Sequence, residues 1–214
     1  MPTKLSDIRT EYLLASLREF EVKKSPFDQF EKWFKEAVDA EIEDVNAMTL
    51  ASVDSNNKPH ARIVLLKGLE NSQFVFYSNY HSHKGQQMNE NAAVALVFYW
   101  KELQRQVRIE GQVSRILEAE SVKYFNSRPV ESQIGAWASN QSETLANREI
   151  LDEKFAQFTV KFENGIVPKP QNWGGYQVEA NSIEFWQGRA SRLHDRILYS
   201  KNKQELWEIS RLSP

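Results

Sequence analysis

From Ala47 onward, apolar residues fall at every second position and polar turn residues recur at short intervals, a pattern that closely spaced strands satisfy and helices do not. MTLASVD, a polar turn from Asp54 to Lys58, PHARIVLLKGL and FVFYSN predict three successive antiparallel strands; AVALVFYW and RQVRIEGQVSRI add two more. YQVEANSIEFWQG, RLHDRILYS and ELWEISRLSP close the sheet. Many short strands joined this tightly predict a mainly β, antiparallel barrel or sandwich with flanking helices. There is no βαβ alternation and neither GxGxxG nor GxxxxGK, so any phosphate would have to be held by side chains.

The helices are fewer. Ser25 and Pro26 form an N-cap and N1 pair, and Phe27, Phe30, Phe34, Ala37 and Val38 give the helix behind them one apolar face to lay on a sheet. Ahead of it, Ile8, Tyr12, Leu13, Leu17 and Phe20 predict a loosely attached helix within residues 1–24. Leu117 to Arg128 reads as a helix ended by Pro129, with Ser132 just beyond; Glu143 to about Phe162 reads as a long amphipathic helix with Ser142 as N-cap. No Pro/Gly/Ser linker divides the chain, which predicts an N-terminal segment of residues 1–24 and a single domain of residues 25–214.

Charge removes several function classes. The 27 basic and 29 acidic residues nearly cancel, so nothing draws the chain as a whole to nucleic acid or an anionic membrane, and an anion site must be local. The absence of cysteine excludes disulfides and thiolate metal sites and fits a reducing compartment; no metal site is expected. With no long apolar run and no signal-peptide pattern, the expectation is a soluble cytoplasmic protein.

The densest chemistry is WQGRASRLHDR, Trp186 to Arg196. If residues 192–196 are extended, Arg192, His194 and Arg196 share one face. Three potential cations in a row repel one another unless an anion or an electron-poor ring lies opposite, or unless they pair with Asp195 and other carboxylates on an exposed strand. Phe185 and Trp186 as an aromatic wall, and Gly188 as a place of close approach, favour a lined pocket. Arg62 and Lys67 bracket RIVLLK and, five apart, face opposite sides of a regular strand, so either a bulge intervenes or the two serve different parts of a site; solvated ends of a core strand are the alternative. His83 and Lys84 begin a short helix, where free amides favour anions. Gln106 and Arg108 share the polar face of RQVRIEG, and a buried amide there could read a heteroaromatic edge or make an ordinary sheet bond. Tyr124, Arg128 and Ser132 could converge as donors for a phosphate monoester, or Arg128 could serve its own helix dipole. Gln141 and Ser142 stand before the long helix, a second possible anion seat.

Taken in order, RIVLLK, FVFYSN, RQVRIEG, YFNSRPVESQIGAWASNQS, WGGY and IEFWQGRASRLHDR resemble the segments of the pyridoxamine 5′-phosphate oxidases, from about residue 45 to the C-terminus. The resemblance implies an FMN-binding split β-barrel and a homodimer with FMN between the subunits. It implies oxidation of pyridoxamine or pyridoxine 5′-phosphate to pyridoxal 5′-phosphate by O2, with H2O2 released, and ammonia from the amine. By matching position, Arg62, Ile63, Val64, Leu65, Leu66, Lys67, Tyr77, Ser78, His83, Lys84, Gln106, Gln141, Ser142, Trp186 and Arg196 would contact FMN. Lys67, Tyr124, Arg128, Ser132, Arg192 and His194 would hold the substrate, with Arg192 and His194 acting in the chemistry, and Arg9 and Tyr12 would make contacts from an N-terminal lid. One position departs from the family: His83 stands where an arginine is usual, and since histidine is only partly charged at neutral pH, a weaker and more pH-dependent hold on FMN is expected. A flavoenzyme of the same fold with another substrate is one alternative, but a flavin reductase would not need the whole set Tyr124, Arg128, Ser132, Arg192 and His194. A non-catalytic pyridoxal phosphate binder is another, which yellow protein that consumes oxygen with pyridoxine phosphate would exclude.

Overall fold

The computed structural model describes Lys4 and residues 11–214. Among these residues the chain forms five α-helices and nine strands, and its contacts gather into two compact units. One comprises Met1–Thr49, Ala95–Gly111 and Ala180–Pro214; the other comprises Leu50–Val94 and Gln112–Glu179. The strands are β1 (Ala47–Val53), β2 (Pro59–Leu65), β3 (Gly68–Glu70), β4 (Gln73–Asn79), β5 (Ala93–Trp100), β6 (Arg105–Arg115), β7 (Trp173–Gln187), β8 (Asp195–Lys201) and β9 (Trp207–Leu212). They hydrogen-bond in the order β2-β1-β5-β6-β7-β4-β3, with β8 joining β7 and β9 joining β8. The pairings β3–β4, β4–β7, β7–β8 and β8–β9 are all antiparallel, as alternation and short turns predict.

In the first unit, α1 (Pro26–Asp39) starts where the sequence places it. Ser25 is extended at φ −89°, and its hydroxyl accepts from the amides of Phe27 and Asp28. The buried stripe is Pro26, Gln29, Phe30, Trp33 and Ala37, so the face is turned from the expected one: Val38 is exposed and Trp33 carries the packing. Phe30 meets Phe98 at 5.1 Å, and Trp33 meets Phe185 edge-on at 5.2 Å. Residues 11–24 contain no helix; they run as irregular chain and turns, so the helix expected there is absent over the described part. Apolar spacing suggested a helix, but the amides of Leu13 and Leu14 donate to the Gln104 side chain and that of Leu17 to Asp195 instead.

In the second unit, α2 (His83–Glu90) begins behind Ser82, whose Oγ accepts from the Gly85 amide at 3.3 Å. Helix α3 (Glu118–Asn126), with Ser127 as its C-cap, is followed closely by α4 (Val130–Ala138), whose N-cap is Pro129. Pro129 thus ends one helix and opens another, as its fixed φ allows. The last helix, α5 (Glu149–Phe162), starts six residues after the expected Glu143, and Ser142 is not its N-cap: it sits at φ 77° in a turn. Phe125, Ile134, Val167 and Trp173 make a core against which α5 lays Phe155, Phe158 and Phe162. No helix among the described residues is long and apolar enough to cross a membrane.

Candidate functional site

The Leu50–Val94/Gln112–Glu179 unit contains a cavity of about 460 Å³. Strand β2 supplies Ile63, Val64 and Leu65, and Lys67 lies just past its end; β4 supplies Tyr77 and Ser78, and α2 supplies Lys84. Tyr124 comes from the last turn of α3, Arg128 from the α3–α4 connection, Ser132 from the first turn of α4, and Gln141 from the loop after it. Eleven of the residues singled out from the sequence therefore share one cavity. A second cavity of about 400 Å³ in the same unit shares Ile63, Lys84 and Gln141 and adds His60, Arg62, His83, Gln87 and Ser142. Leu66 turns inward to the core and lines neither. No regular strand joins Arg62 and Lys67: β2 stops at Leu65, so Lys67 is no longer on the strand that carries Arg62, and the two line different cavities.

No carboxylate lines either cavity, although several cations do. Arg62 is fixed from three sides: Nη1 donates to Leu50 O at 3.0 Å and Ser52 Oγ at 2.7 Å, and Nη2 donates to Gln87 Oε1 at 2.9 Å. None of these partners is charged, and burial lowers its pKa. Lys84 is 8% exposed; burial pulls its pKa down to about 8, with the neighbouring Arg62 adding to the effect. Arg128 lies 4.6 Å over the Trp173 ring and is lowered by burial too, and its Nη1 is buried with no hydrogen-bond partner. A buried cationic donor left unpaired is costly, and an anion in the cavity would remove that cost. Tyr77, Tyr124 and Trp173 stack nearly parallel, with Tyr77–Tyr124 centroids 3.8 Å apart, which makes a rigid aromatic wall beside the cations. Burial, with Glu70 next, pushes the Tyr77 hydroxyl up to about 12, so it remains a neutral donor. Ser78 Oγ donates to Gln141 Oε1 at 3.3 Å, and Ser142 Oγ accepts from the His83 amide at 3.3 Å.

The other unit carries the remaining predicted residues. Trp186 and Arg196 are directly paired across β7 and β8. Arg196 grips buried Glu184 with two bonds of 2.8 and 3.0 Å, and Arg108 Nη1 reaches the same carboxylate at 3.2 Å. Gln106 is half-buried on the polar side of β6, with Val107 and Ile109 fully buried on the other. The expected extended run from Arg192 to Arg196 is not formed. Residues 190–192 make a 3-10 turn with Ser191 at φ 54° and Arg192 at φ 63°, and β8 starts only at Asp195. Strand alternation therefore does not place Arg192, which is exposed on the turn. His194 lies 4.7 Å from the Trp186 ring; its Nδ1 accepts from the Arg189 amide at 3.1 Å, and burial followed by Arg192 lowers its pKa. Tyr12 stands edge-on to both rings, each at 5.7 Å, and Arg9 lies outside the described residues. Gly188 has the anticipated role: a Cβ there would sit 2.7 Å from Tyr12 Cγ.

Sequence reasoning missed Trp173, Arg189 and Glu184. Trp173 was visible only as part of WGGY; the other two were masked by more conspicuous arginines and aromatics alongside. Among the described residues, no group of three or more His, Asp or Glu could hold a metal ion.

Comparison with known proteins gives the lineage. The family described as pyridoxamine 5′-phosphate oxidase matches residues 34–162, and the pyridoxine 5′-phosphate oxidase C-terminal dimerisation region matches residues 173–214. The pyridoxine/pyridoxamine 5′-phosphate oxidase of Trichormus variabilis is 50% identical over 214 residues and spans 100% of both chains. The protein of the same name from Burkholderia mallei is 50% identical over 99% of this chain and 100% of its own. Among solved structures, PhzG from Burkholderia lata in complex with tetrahydrophenazine-1-carboxylic acid superposes with a TM-score of 0.88 at 26% identity, covering 94% of this chain and 99% of that one. A Nostoc punctiforme FMN-binding protein related to pyridoxamine 5′-phosphate oxidase shares the fold, with a TM-score of 0.72 at 15% identity over 90% of this chain and 100% of its own. The sheet with its flanking helices is thus the split-barrel architecture, and the chain belongs to the pyridoxamine 5′-phosphate oxidase family.

Proposed function

We propose that this protein is an FMN-dependent oxidase that converts pyridoxamine or pyridoxine 5′-phosphate to pyridoxal 5′-phosphate with O2 as acceptor, as a homodimer with FMN between subunits. The observation that carries the reading is the unpaired, buried Arg128 Nη1 in a cavity that has cations, hydroxyls and an aromatic wall but no carboxylate. That set fits the two groups the reaction requires, a phosphorylated flavin and a small phosphorylated pyridine ring. Arg62 and Lys84, with the His83 and Ser142 turn, suit the flavin's phosphate; Tyr124, Arg128 and Ser132 suit the substrate's. The 50% identical relatives named for both vitamers, and the match to a dimerisation region, support the same reading.

When bound, FMN supplies the hydride acceptor and is reoxidised by O2, releasing H2O2. The protein's share is placement and charge. Tyr124, Arg128 and Ser132 anchor the substrate by its phosphate, a group that takes no part in the chemistry, so binding energy there fixes the ring and with it the neighbouring C4′. Lys67 stands at the end of β2, where it can serve flavin and substrate together. Arg192 would orient the group on C4′. His194, with Nδ1 already used as an acceptor, presents Nε2–H as a donor and is kept mainly neutral by its lowered pKa.

An oxygen electrode tests this on FMN-loaded protein with both phosphorylated vitamers and their unphosphorylated forms. Uptake with the phosphorylated pair, and at least 100-fold weaker kcat/KM without the phosphate, is the expected result. The similarity to PhzG favours one competing reading, a split-barrel flavoenzyme acting on a tricyclic carboxylate. Oxygen uptake indifferent to the phosphate would favour it.

A further inference from the structure

Building on the proposed reaction, we infer that Asp195 is a positioning residue which, with Arg211 and Glu19, ties the segment of residues 11–21 to the orientation of the His194 ring. Asp195 opens β8, between His194 and Arg196 in the chain. Its Oδ2 accepts from the Leu17 amide at 3.0 Å and from Arg189 Nη1 at 3.1 Å, and its Oδ1 accepts from Arg211 Nη1 at 2.8 Å. Arg211, on β9 opposite Ile197, donates through Nη2 to the Leu17 carbonyl at 2.8 Å and to Glu19 Oε2 at 3.0 Å, and through Nε to Glu19 Oε1. Both backbone polar groups of Leu17 are therefore held by side chains, and its own side chain is buried. A stretch with no helix or strand of its own is fixed as a ladder would fix it.

Two arms run from this anchor to His194. Along the segment, the amides of Leu13 and Leu14 both donate to Gln104 Oε1, at 3.0 and 3.3 Å, and Tyr12 is set on Gly188 with its ring against His194 and Trp186. Through the turn, the Arg189 guanidinium rests on Asp195 while the Arg189 amide donates to His194 Nδ1. An amide can only donate, so Nδ1 is the acceptor and the neutral ring carries its proton on Nε2. One carboxylate thus touches both elements that bracket the imidazole. Glu19 is held at about 2 by its hydrogen bonds, first that from Arg211, so its carboxylate stays ionised opposite that guanidinium at neutral pH.

The test uses FMN-loaded, full-length Asp195→Asn, Glu19→Gln, Arg211→Ala and Arg211→Lys proteins, with three readouts: imidazole ¹⁵N shifts of His194, trypsin cleavage after Arg18, Lys23 and Lys24, and kcat and KM separately. In Asp195→Asn we expect the fixed Nε2–H tautomer to give way to a mixture, cleavage to accelerate at least 10-fold, and kcat to fall at least 10-fold with FMN content unchanged. Glu19→Gln, a surface change that leaves the core intact, should shift cleavage in the same direction by about 3-fold, and Arg211→Lys should recover part of what Arg211→Ala loses. Wild-type ¹⁵N shifts and cleavage rates in Asp195→Asn would overturn the inference; if that variant does not fold, the same result in Glu19→Gln and Arg211→Ala overturns it. Should the wild type oxidise neither vitamer, the functional reading fails by itself, and the tautomer and cleavage readouts still decide the positioning role.

Discussion

Lys84 shows how a single side chain can be set against the stability of the free protein. Its pKa of about 8 lies below the ordinary lysine value because burial disfavours the charged form. The linkage follows from that sign: the cost to folding is complete below about pH 8 and fades as pH rises toward the unfolded value of about 10.4, where neither state is charged. Lys84→Met should therefore stabilise the FMN-free protein by about 1–2 kcal/mol at neutral pH, less near pH 10, while flavin retention is lost. Urea melts and flavin absorbance after gel filtration check both halves; a destabilised variant that keeps its flavin would refute the assignment. An anion opposite Lys84 raises its pKa, so wild-type FMN affinity should fall as pH climbs through about 8, which calorimetric titration across that range measures. Arg128 offers the complementary case. Arg128→Ala should raise KM for the phosphorylated substrate about 100-fold, equivalent to about 2.7 kcal/mol, with FMN content unchanged. An unaltered KM would remove Arg128 from the phosphate seat.

At the scale of elements, α1 was legible because its signals are local. Ser25 before Pro26 gives the cap, and Ser25→Ala is expected to cost about 1 kcal/mol in a thermal melt. Trp33→Ala should cost about 3–5 kcal/mol, since the fully buried indole meets Phe185 and lies under the Arg105 guanidinium at 4.4 Å. A cost below 1 kcal/mol for Trp33→Ala would mean that α1 is not seated by that face. The errors arose where a local signal was ambiguous. Pro129 was read only as a stop, with Ser132 just beyond the helix; it is also a start, and the structure places Ser132 inside α4. Ser142 followed by Glu143 imitates a cap, yet the chain there turns through φ 77° and the helix begins at Glu149. Arg192 to Arg196 alternates in composition, but two residues of left-handed backbone break the strand before Asp195.

For the whole molecule, β2 is informative because it alternates without burying its apolar residues: Ile63 is 65% exposed and Leu65 is 41% exposed in the isolated chain. Under the proposed function, bound flavin and a second copy would cover such a strand. Sedimentation should give twice the 24.9 kDa chain mass, and Ile63→Asp should weaken FMN retention and dimer together, by at least 10-fold each. A monomeric, flavin-loaded wild type would contradict the homodimer.

The order of strands in the chain, the capped helix at Ser25 and the family motifs could be read from the sequence alone, because each is set by periodicity or by chemistry between near neighbours. The identities of the cationic and hydroxyl residues were legible in the same way. Tertiary structure decided which of them converge: that Tyr124, Arg128, Ser132 and Lys84 share a cavity without a carboxylate, that Trp173 walls it, and that Asp195 reaches Leu17 across 178 positions. Partners so distant in the chain leave no local trace, and the desolvation that shifts Lys84 and leaves Arg128 Nη1 unpaired exists only once the fold has removed water from around them.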